Sequence, residues 1–344
     1  MNASLSVVAP GLYTTIQDLG RFGYQDVGVP VSGALDALSL RAANRLAGNP
    51  ENTAALEILY QSPVLEVRAD SVRVGLAGGD AELELVGERP RQLGGWRSLS
   101  LRQGEVFRAT QLGDSACCYL AVEGGFAVEP CLGSASSYVR GGFGGFNGRP
   151  LRQGDLLALH RERVEDRGEI RIPHPPPHER DRPVRIVLGP QEDHFTDEAI
   201  ECLVGAEYRV SKNADRMGMR LDGPLLQHRD GYNIVSDGIA TGAIQVPGSG
   251  QPILLLADHQ TTGGYPKIAT VVSADLAAVG RRRTGDTMRF SIVDVATAER
   301  LRRDQEAEFQ ALMSTVAPAA AATGLDLDVL YRTNLISGAV SGHE

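Results

Sequence analysis

The densest store of reactive side chains lies at residues 242–270, GAIQVPGSGQPILLLADHQTTGGYPKIAT. Gln245, Gln251, Asp258, His259, Gln260, Thr261, Thr262, Tyr265 and Lys267 are strung there around glycines and one apolar run. Amides and hydroxyls beside Gly263 and Gly264 suit recognition of a small amide or carboxylate through hydrogen bonds. The competing explanation is that these are turn residues and strand ends satisfying their own backbone. The binding explanation is preferred because a lysine, rare in this chain, falls in the segment. Lys267 offers a point charge toward a carboxylate or phosphate, although a lone lysine is more often a surface residue.

Two other segments carry charge in a pattern. At 213–224, NADRMGMRLDGP, Arg216 and Arg220 stand four apart. They would share a face on a strand and be neighbours on a helix. At 14–24, Asp18 and Arg21 are placed for a local pair, which is a structural role. The glycine cluster at 141–148, GGFGGFNG, comes close to the dinucleotide fingerprint but misses its spacing. A close-packed turn is the simpler expectation there, and a backbone cradle for an anion or a partner's edge the alternative.

Several chemistries are excluded. Only Lys212 and Lys267 are lysines among the 34 basic residues. Neither follows a glycine, so no P-loop is present, and neither stands in the Met-Lys-Met setting of a biotin carrier. Ser-x-x-Lys, G-x-S-x-G and H-E-x-x-H are all missing. Cys117, Cys118, Cys131 and Cys202 form no C-x-x-C, and strand neighbours such as Cys117 and Cys118 point to opposite faces, so free thiols and no metal site are expected. His174 and His178 have helical ligand spacing, but Pro175, Pro176 and Pro177 forbid the helix.

The elements that must position these groups are mainly strands. Forty glycines and 5% aromatic residues point to short strands and tight turns, and 42% hydrophobic content is enough for buried cores. Strands are expected at 64–68, 81–85, 116–122, 184–188 and 253–256. A short phrase recurs three times, at Arg102-Gln103-Gly104-Glu105, Arg152-Gln153-Gly154-Asp155 and Arg283-Thr284-Gly285-Asp286, each followed by apolar residues. Its glycine supplies the positive φ of a turn that feeds a strand. Helices are expected at 34–47, stopped by Gly48-Asn49-Pro50, at 196–203 behind a Thr196 cap, and at 294–313. The proline-rich run 173–183, PHPPPHERDRP, reads as an extended connector. It divides an N-terminal β-rich domain, 1–172, from a C-terminal domain, 184–300, leaving a helix end and peripheral tail at 301–344. The net charge of −9 and the absence of a basic stripe speak against nucleic acid. No leader and no long apolar span are visible, so a soluble cytoplasmic protein is expected, with no membrane contact.

Four stretches together resemble one known family: GLYTTIQDLGRFGYQDVGVPVSGALD (11–36), GPQEDHF (189–195), DRMGMRLDGP (215–224) and GAIQVPGSGQP with DHQTTGGYPKIATVVSAD (242–275). Its members are variously called allophanate hydrolase subunit 2, KipA or the C subunit of 5-oxoprolinase, and the same module forms the second half of the carboxyltransferase domain of urea carboxylase. The resemblance runs in order from about residue 8 to 300. It implies a mainly β fold of two β-rich domains with cyclophilin-like barrel architecture and a few short helices.

It also implies one member of an ATP-dependent 5-oxoprolinase complex. The partners would be a KipI-like protein, the B subunit, with a LamB/YcsF-type protein as the A subunit. The substrate would be a small cyclic amide. ATP would be bound jointly with the partner, with Mg, and this chain would carry no covalent biotin. Asp258 and Lys267 become the expected catalytic groups. Arg216, Gln245, Gln260, Thr261, Thr262, Gly263, Gly264 and Tyr265 become the expected substrate pocket. Two alternatives stay open: a KipA-like regulator binding a kinase-inhibitor partner, and a carboxyltransferase component working with a separate biotin carrier. The chain departs from the family at 134–137, where Ser-Ala-Ser-Ser replaces Ser-Arg-Ser-Thr and weakens an anion-binding role for the adjacent glycine loop. It also has Asp237 where the family tends to have glutamate.

Overall fold

The computed structural model describes residues 3–88 and 90–319. In the first half two antiparallel sheets face each other. One runs, in spatial order, through Leu156–Ala158, Ser4–Ala9, Val64–Val67, Val106–Ala109, Leu83–Val86 and Arg91–Gln92. The other runs through Tyr13–Gln17, Ala55–Leu59, Cys117–Val122, Ser71–Ala77 and Arg97–Arg102, then the short Ile170–Arg171 and Ala317–Pro318. Strand alternation fills the space between them with Leu5, Val7, Leu65, Phe107, Ile58, Val74 and Leu120.

Cys117 and Cys118 show the alternation directly. Cys118 belongs to the core between the sheets, whereas Cys117 packs on the opposite face with helix α1 (Ala37–Ala47). Both are free and buried, and burial pushes their thiols up. Helix α1 begins three residues later than the pattern predicts. Asp36 is its cap, with Oδ1 accepting from Leu38 N and Ser39 N at 3.1 Å, and Gly48 ends it at φ +89°.

The second half is an eight-stranded sheet: Thr287–Met288, Tyr208–Ala214, Gly218–Asp222, Ile253–Leu255, Ala243–Gln245, Lys267–Val271, Val184–Leu188 and Phe290–Ile292. Its two edge strands are separated in sequence by Arg289 alone, so the sheet curls round into a nearly closed barrel. Val210, Met219, Leu221, Ile244, Leu254 and Ile268 fill the interior, with Ala199 and Leu203 of helix α2 (Asp197–Gly205) beneath. The mainly β, barrel-like architecture expected from the sequence is present.

All three recurrent phrases are turns, with φ +83°, +87° and +92° at Gly104, Gly154 and Gly285. In each the last residue also accepts from the first residue's backbone N–H. Glu105 Oε2 lies 2.6 Å from Arg102 N, Asp155 Oδ2 2.7 Å from Arg152 N, and Asp286 Oδ2 2.8 Å from Arg283 N. The acidic residue closes the turn that the glycine permits.

The connector at 173–183 forms neither helix nor strand. The short helix α3 (Leu276–Gly280) lies between the barrel strands Lys267–Val271 and Thr287–Met288, and the long helix α4 (Val295–Ser314) follows the barrel and leads back to the first half. The helix end buries Phe309 and Met313 against α1. Arg41 of α1 holds Glu306 through two bonds of 2.7 and 2.8 Å and lies 3.9 Å over the Phe309 ring. The alanine-rich tail from 320 onward lies outside the described residues.

Candidate functional site

The strands Tyr208–Ala214 and Gly218–Asp222 form a hairpin whose tip enters the cleft between the halves. Asp215 shapes the tip, because its Oδ1 accepts from Met217 N at 2.7 Å and Gly218 N at 3.3 Å. The next residue, Arg216, is driven inward. Its Nε is 2.8 Å from Asp258 Oδ2, and Nη2 is 3.1 Å from Asp258 Oδ1 and 2.6 Å from Gly33 O. Nη1 donates to Glu57 Oε1, which comes from the other half of the molecule. Burial alone would lower the Arg216 pKa, but Asp258 and Glu57 overcome it and hold the guanidinium charged, well above its usual range.

The network continues through the first half. Glu57 Oε2 accepts from Tyr119 Oη at 2.7 Å and from Leu35 N at 2.9 Å. Tyr119 Oη accepts from Asp36 N at 2.8 Å, and Asp36 Oδ2 is 2.8 Å from Arg281 Nε, again from the second half. Two arginines of the barrel half are thus seated on carboxylates of the first half, which fixes the cleft.

The outer face of the barrel wall carries a row of cross-strand partners. Arg220 pairs with Ile253, Ile253 with Gln245, and Gln245 with Lys267. Their neighbours Met219, Leu254, Ile244 and Ile268 point into the core, so these four project outward. A two-stranded flap, Asp237–Gly238 against Thr262–Gly263, lies beside the row. Lys267 Nζ reaches Asp237 Oδ2 at 2.8 Å, and Gln191 Nε2 touches the same oxygen at 3.2 Å. The lysine side chain is only 4% exposed, so it is not the surface lysine its type suggests. Its bond to Asp237 pulls that carboxyl below the usual range.

Gln245 is buried, with Nε2 3.4 Å from Tyr265 O and Oε1 accepting from Gln260 Nε2 at 3.2 Å. Gly263 packs closely here: a Cβ at that position would stand 2.7 Å from Gln245 Nε2, so a side chain would push the amide aside. Thr261 supports the flap from its backbone, accepting from Ile239 N at 3.0 Å, and Thr262 is its exposed edge. Gly264 O accepts from Ile234 N at 2.9 Å.

Two cavities open on either side of the hairpin tip and share Ala214, Asp215 and Met217. The first, about 440 Å³, is lined by Lys212, Arg220, Gln245, Gln260 and Tyr265. The second, about 600 Å³, is lined by Tyr13, Tyr60, Arg140, Arg216 and Asp258. Burial raises the Tyr13 phenol, with Arg216 pulling the other way. The structure therefore divides the expected residues. Gln245, Gln260 and Tyr265 converge on one cavity, Arg216 and Asp258 on the other, and Lys267, Thr261, Thr262, Gly263 and Gly264 stand in and behind the flap.

Neither of the two cations favoured from sequence is free. Arg216 is shared by two carboxylates and Lys267 is held by Asp237. Glu57 and Tyr119 carry no mark in any local pattern, since their partners are distant in the chain. Lys212 and Arg220 are visible in the sequence only as a lysine in Ser-Lys-Asn and one arginine of a spaced pair.

The glycine segment 141–148 packs on itself. A Cβ on Gly144 would fall 2.1 Å from Ser136 O, and one on Gly148 would fall 2.1 Å from the Gly142 carbonyl carbon. The expected local pair of Asp18 and Arg21 is replaced by a shared loop. Asp18 accepts from Ser134 Oγ, Ser136 Oγ and Ala135 N at 2.7, 2.5 and 2.7 Å, while Arg21 Nη2 donates to Ser136 O. Ser134 and Ser136, in the stretch that departs from the family, thus hold Asp18. Among the described residues, no three His, Cys, Asp or Glu side chains gather as a metal site, and no helix is long and apolar enough to cross a membrane.

Comparison with known proteins adds the following. Residues 27–292 match the family described as carboxyltransferase domain, subdomain A and B. The C subunit of 5-oxoprolinase from Haemophilus influenzae is 37% identical over 292 residues, covering 85% of this chain and 92% of that protein. The C subunit of 5-oxoprolinase from Escherichia coli K12 is 33% identical over 311 residues, covering 90% and 97%. The crystal structure of the K. lactis urea amidolyase is similar at a TM-score of 0.81 and 29% identity over 90% of this chain, which spans 20% of that larger chain.

Proposed function

The chain belongs to the carboxyltransferase domain family, subdomain A and B, and from that premise we propose that it is the C subunit of a cytoplasmic ATP-dependent 5-oxoprolinase. One observation carries the choice within the family. This chain matches the two 5-oxoprolinase C subunits along 92% and 97% of their lengths, against 20% of the urea amidolyase structure. The nearly end-to-end match favours the role of the C subunit.

In the proposed reaction, the lactam oxygen takes the terminal phosphoryl group of ATP and ADP leaves. Water adds to the activated carbon, phosphate departs, and the ring C–N bond breaks with the nitrogen taking up a proton, giving glutamate. The partners are a KipI-like protein and a LamB/YcsF-type protein. We place no nucleotide contact on this chain, and the nucleotide with its Mg belongs to the assembled complex. This chain contributes a cleft whose walls suit a small cyclic amide. Gln245 and Gln260 present amide groups, and Tyr265 supplies a half-exposed ring. Asp258, locked on Arg216, holds the hairpin tip that separates the two cavities. Lys267 lies one strand from Gln245, and it would exchange the exposed Asp237 for negative charge developing on the lactam oxygen.

The test is ATP hydrolysis by this chain mixed with its KipI-like partner, with and without 5-oxoproline, and then with the LamB/YcsF-type protein. Hydrolysis stimulated by 5-oxoproline and absent from each protein alone is expected. Silence from a verified three-component complex would overturn the reading in favour of a regulatory binding protein. The similarity to urea amidolyase favours a second reading, a carboxyltransferase served by a separate biotin carrier. A response to urea and a biotinylated carrier, with none to 5-oxoproline, would select it.

A further inference from the structure

The cation of the first cavity is delivered by an irregularity in the hairpin. Val210 faces Leu221 and Ala214 faces Met219, so Ser211, Lys212 and Asn213 together stand opposite Arg220 alone. In an unbroken strand Lys212 would share the inward face of Val210, which is 1% exposed. The bulge instead turns Ser211 inward and Lys212 outward, and Ser211 Oγ fixes it by accepting from Asn213 N at 3.1 Å. Arg220 projects from the facing strand onto the same side. Two cations therefore line one cavity, and neither has an acidic partner among the described residues.

The nearby carboxylates are occupied elsewhere. Asp215 lines the cavity, but its Oδ1 is turned back on Met217 N and Gly218 N. Asp222, two residues along the strand from Arg220, accepts from Gln251 Nε2 at 2.8 Å. Asp237 is committed to Lys267. The cavity thus has a cationic end at the bulge and an amide end at Gln245 and Gln260. A ligand that complements both carries an anion and an amide on one small frame.

We infer that Lys212 and Arg220 form an anion subsite that holds the carboxylate of the cyclic-amide substrate, with its amide toward Gln245 and Gln260. This inference rests on the 5-oxoprolinase reading for the identity of the substrate, while the subsite itself rests on the bulge and the cavity. It assigns specificity to two residues: a lactam without the carboxylate forgoes both charge-assisted contacts and binds more weakly.

Two measurements on the full chain separate the subsite from the reading. The first is calorimetric binding of 5-oxoproline and of 2-pyrrolidinone, the same ring without its carboxylate. The acid is expected to bind more tightly, with its affinity falling about tenfold or more in Arg220→Met and in Lys212→Met, and partly restored in Arg220→Lys. Both side chains are exposed, so unchanged melting of each variant is expected and is checked. Raising salt is expected to weaken the wild type more than the Lys212→Met/Arg220→Met double variant. The second is the assembled ATPase, where the same substitutions are expected to raise KM with little change in kcat.

Equal binding of the two lactams, no binding of either, or affinity indifferent to both substitutions would overturn the subsite. Acid-selective, Arg220-dependent binding in a complex that never hydrolyses ATP would uphold the subsite and remove the 5-oxoprolinase reading.

Discussion

Glu57 and Arg216 are 159 residues apart in the chain, yet they meet as a buried ion pair, with side chains 0% and 4% exposed. The pair joins the two halves of the molecule at the floor of the cleft. Removing one member strands the other in a low-dielectric setting, and the cost of a broken buried pair is about 3–5 kcal/mol. Arg216→Met leaves both Glu57 and Asp258 uncompensated and is expected to fall in that range. Glu57→Gln keeps a hydrogen-bonding group of the same shape and leaves Arg216 with Asp258, so it is expected to cost less. Urea unfolding of both single variants and the double variant checks this, with the double less destabilised than the sum. An Arg216→Met protein as stable as wild type would show that the pair does not hold the halves together.

His259 makes the stability of the same region depend on pH. Its Nδ1 is 2.6 Å from Gln260 O and its Nε2 is 3.1 Å from Thr241 Oγ1, an arrangement a neutral ring satisfies by donating to the first and accepting from the second. Burial depresses its pKa below the ordinary 6.5, against a smaller opposing effect of the Gln260 carbonyl. The unfolded chain therefore takes up the proton first as pH falls. This contribution to stability is complete above 6.5 and is lost progressively below it. Melting temperature is expected to fall on acidification from about pH 7 to 5, and to fall less in His259→Gln. Parallel pH profiles for the two proteins would exclude His259 as the titrating group.

Much of this architecture is legible in the sequence because it is written locally. The Arg-Gln-Gly-Glu phrases predict turns feeding strands, and they are turns, since a glycine with positive φ and a following apolar run need only adjacent residues to act. The acidic residue's role as acceptor for the first N–H is also local, but strand periodicity gives no sign of it. Gln245, Gln260 and Tyr265 stand out because they lie within one short segment. Glu57 does not, because what makes it special is the arrival of Arg216 from the other half. Lys212 escapes for a different reason: its outward direction depends on a bulge, and residue spacing assumes strict alternation. Helix α4 is legible, but what covers Phe309 and Met313 is not, because their burial comes from α1, far away in the chain.

The glycine loop gives a prediction that separates packing from binding. Gly144 has φ +73°, and a Cβ there would stand 2.1 Å from Ser136 O. Ser136 in turn anchors Asp18 and cannot retreat freely. Gly144→Ala is expected to destabilise by about 2 kcal/mol or more, from backbone strain together with the clash. Its binding of 5-oxoproline under native conditions is expected to match wild type, because the loop lies outside the first cavity. Weakened binding in a folded Gly144→Ala protein would reopen the anion-cradle role of the glycine loop.

Lys267 tests whether the flap takes part in chemistry or only in structure. Its ammonium is buried on Asp237, but the Asp237 side chain is 54% exposed, so deleting the lysine leaves a carboxylate that water can solvate. Lys267→Ala is therefore expected to fold, with a modest loss of melting temperature from its buried aliphatic stem. The lysine is also the cross-strand partner of Gln245, which places it at the edge of the proposed amide site. If it offsets charge on the activated lactam oxygen, Lys267→Ala abolishes partner-dependent ATP hydrolysis, because a donor aimed at developing charge is worth about a hundredfold or more in rate. Asp237→Asn separates the two roles, since it frees the ammonium without removing it and is expected to keep activity. Loss of turnover in both variants would make the ion pair a support for the flap. Unchanged turnover in Lys267→Ala would remove the lysine from the site altogether.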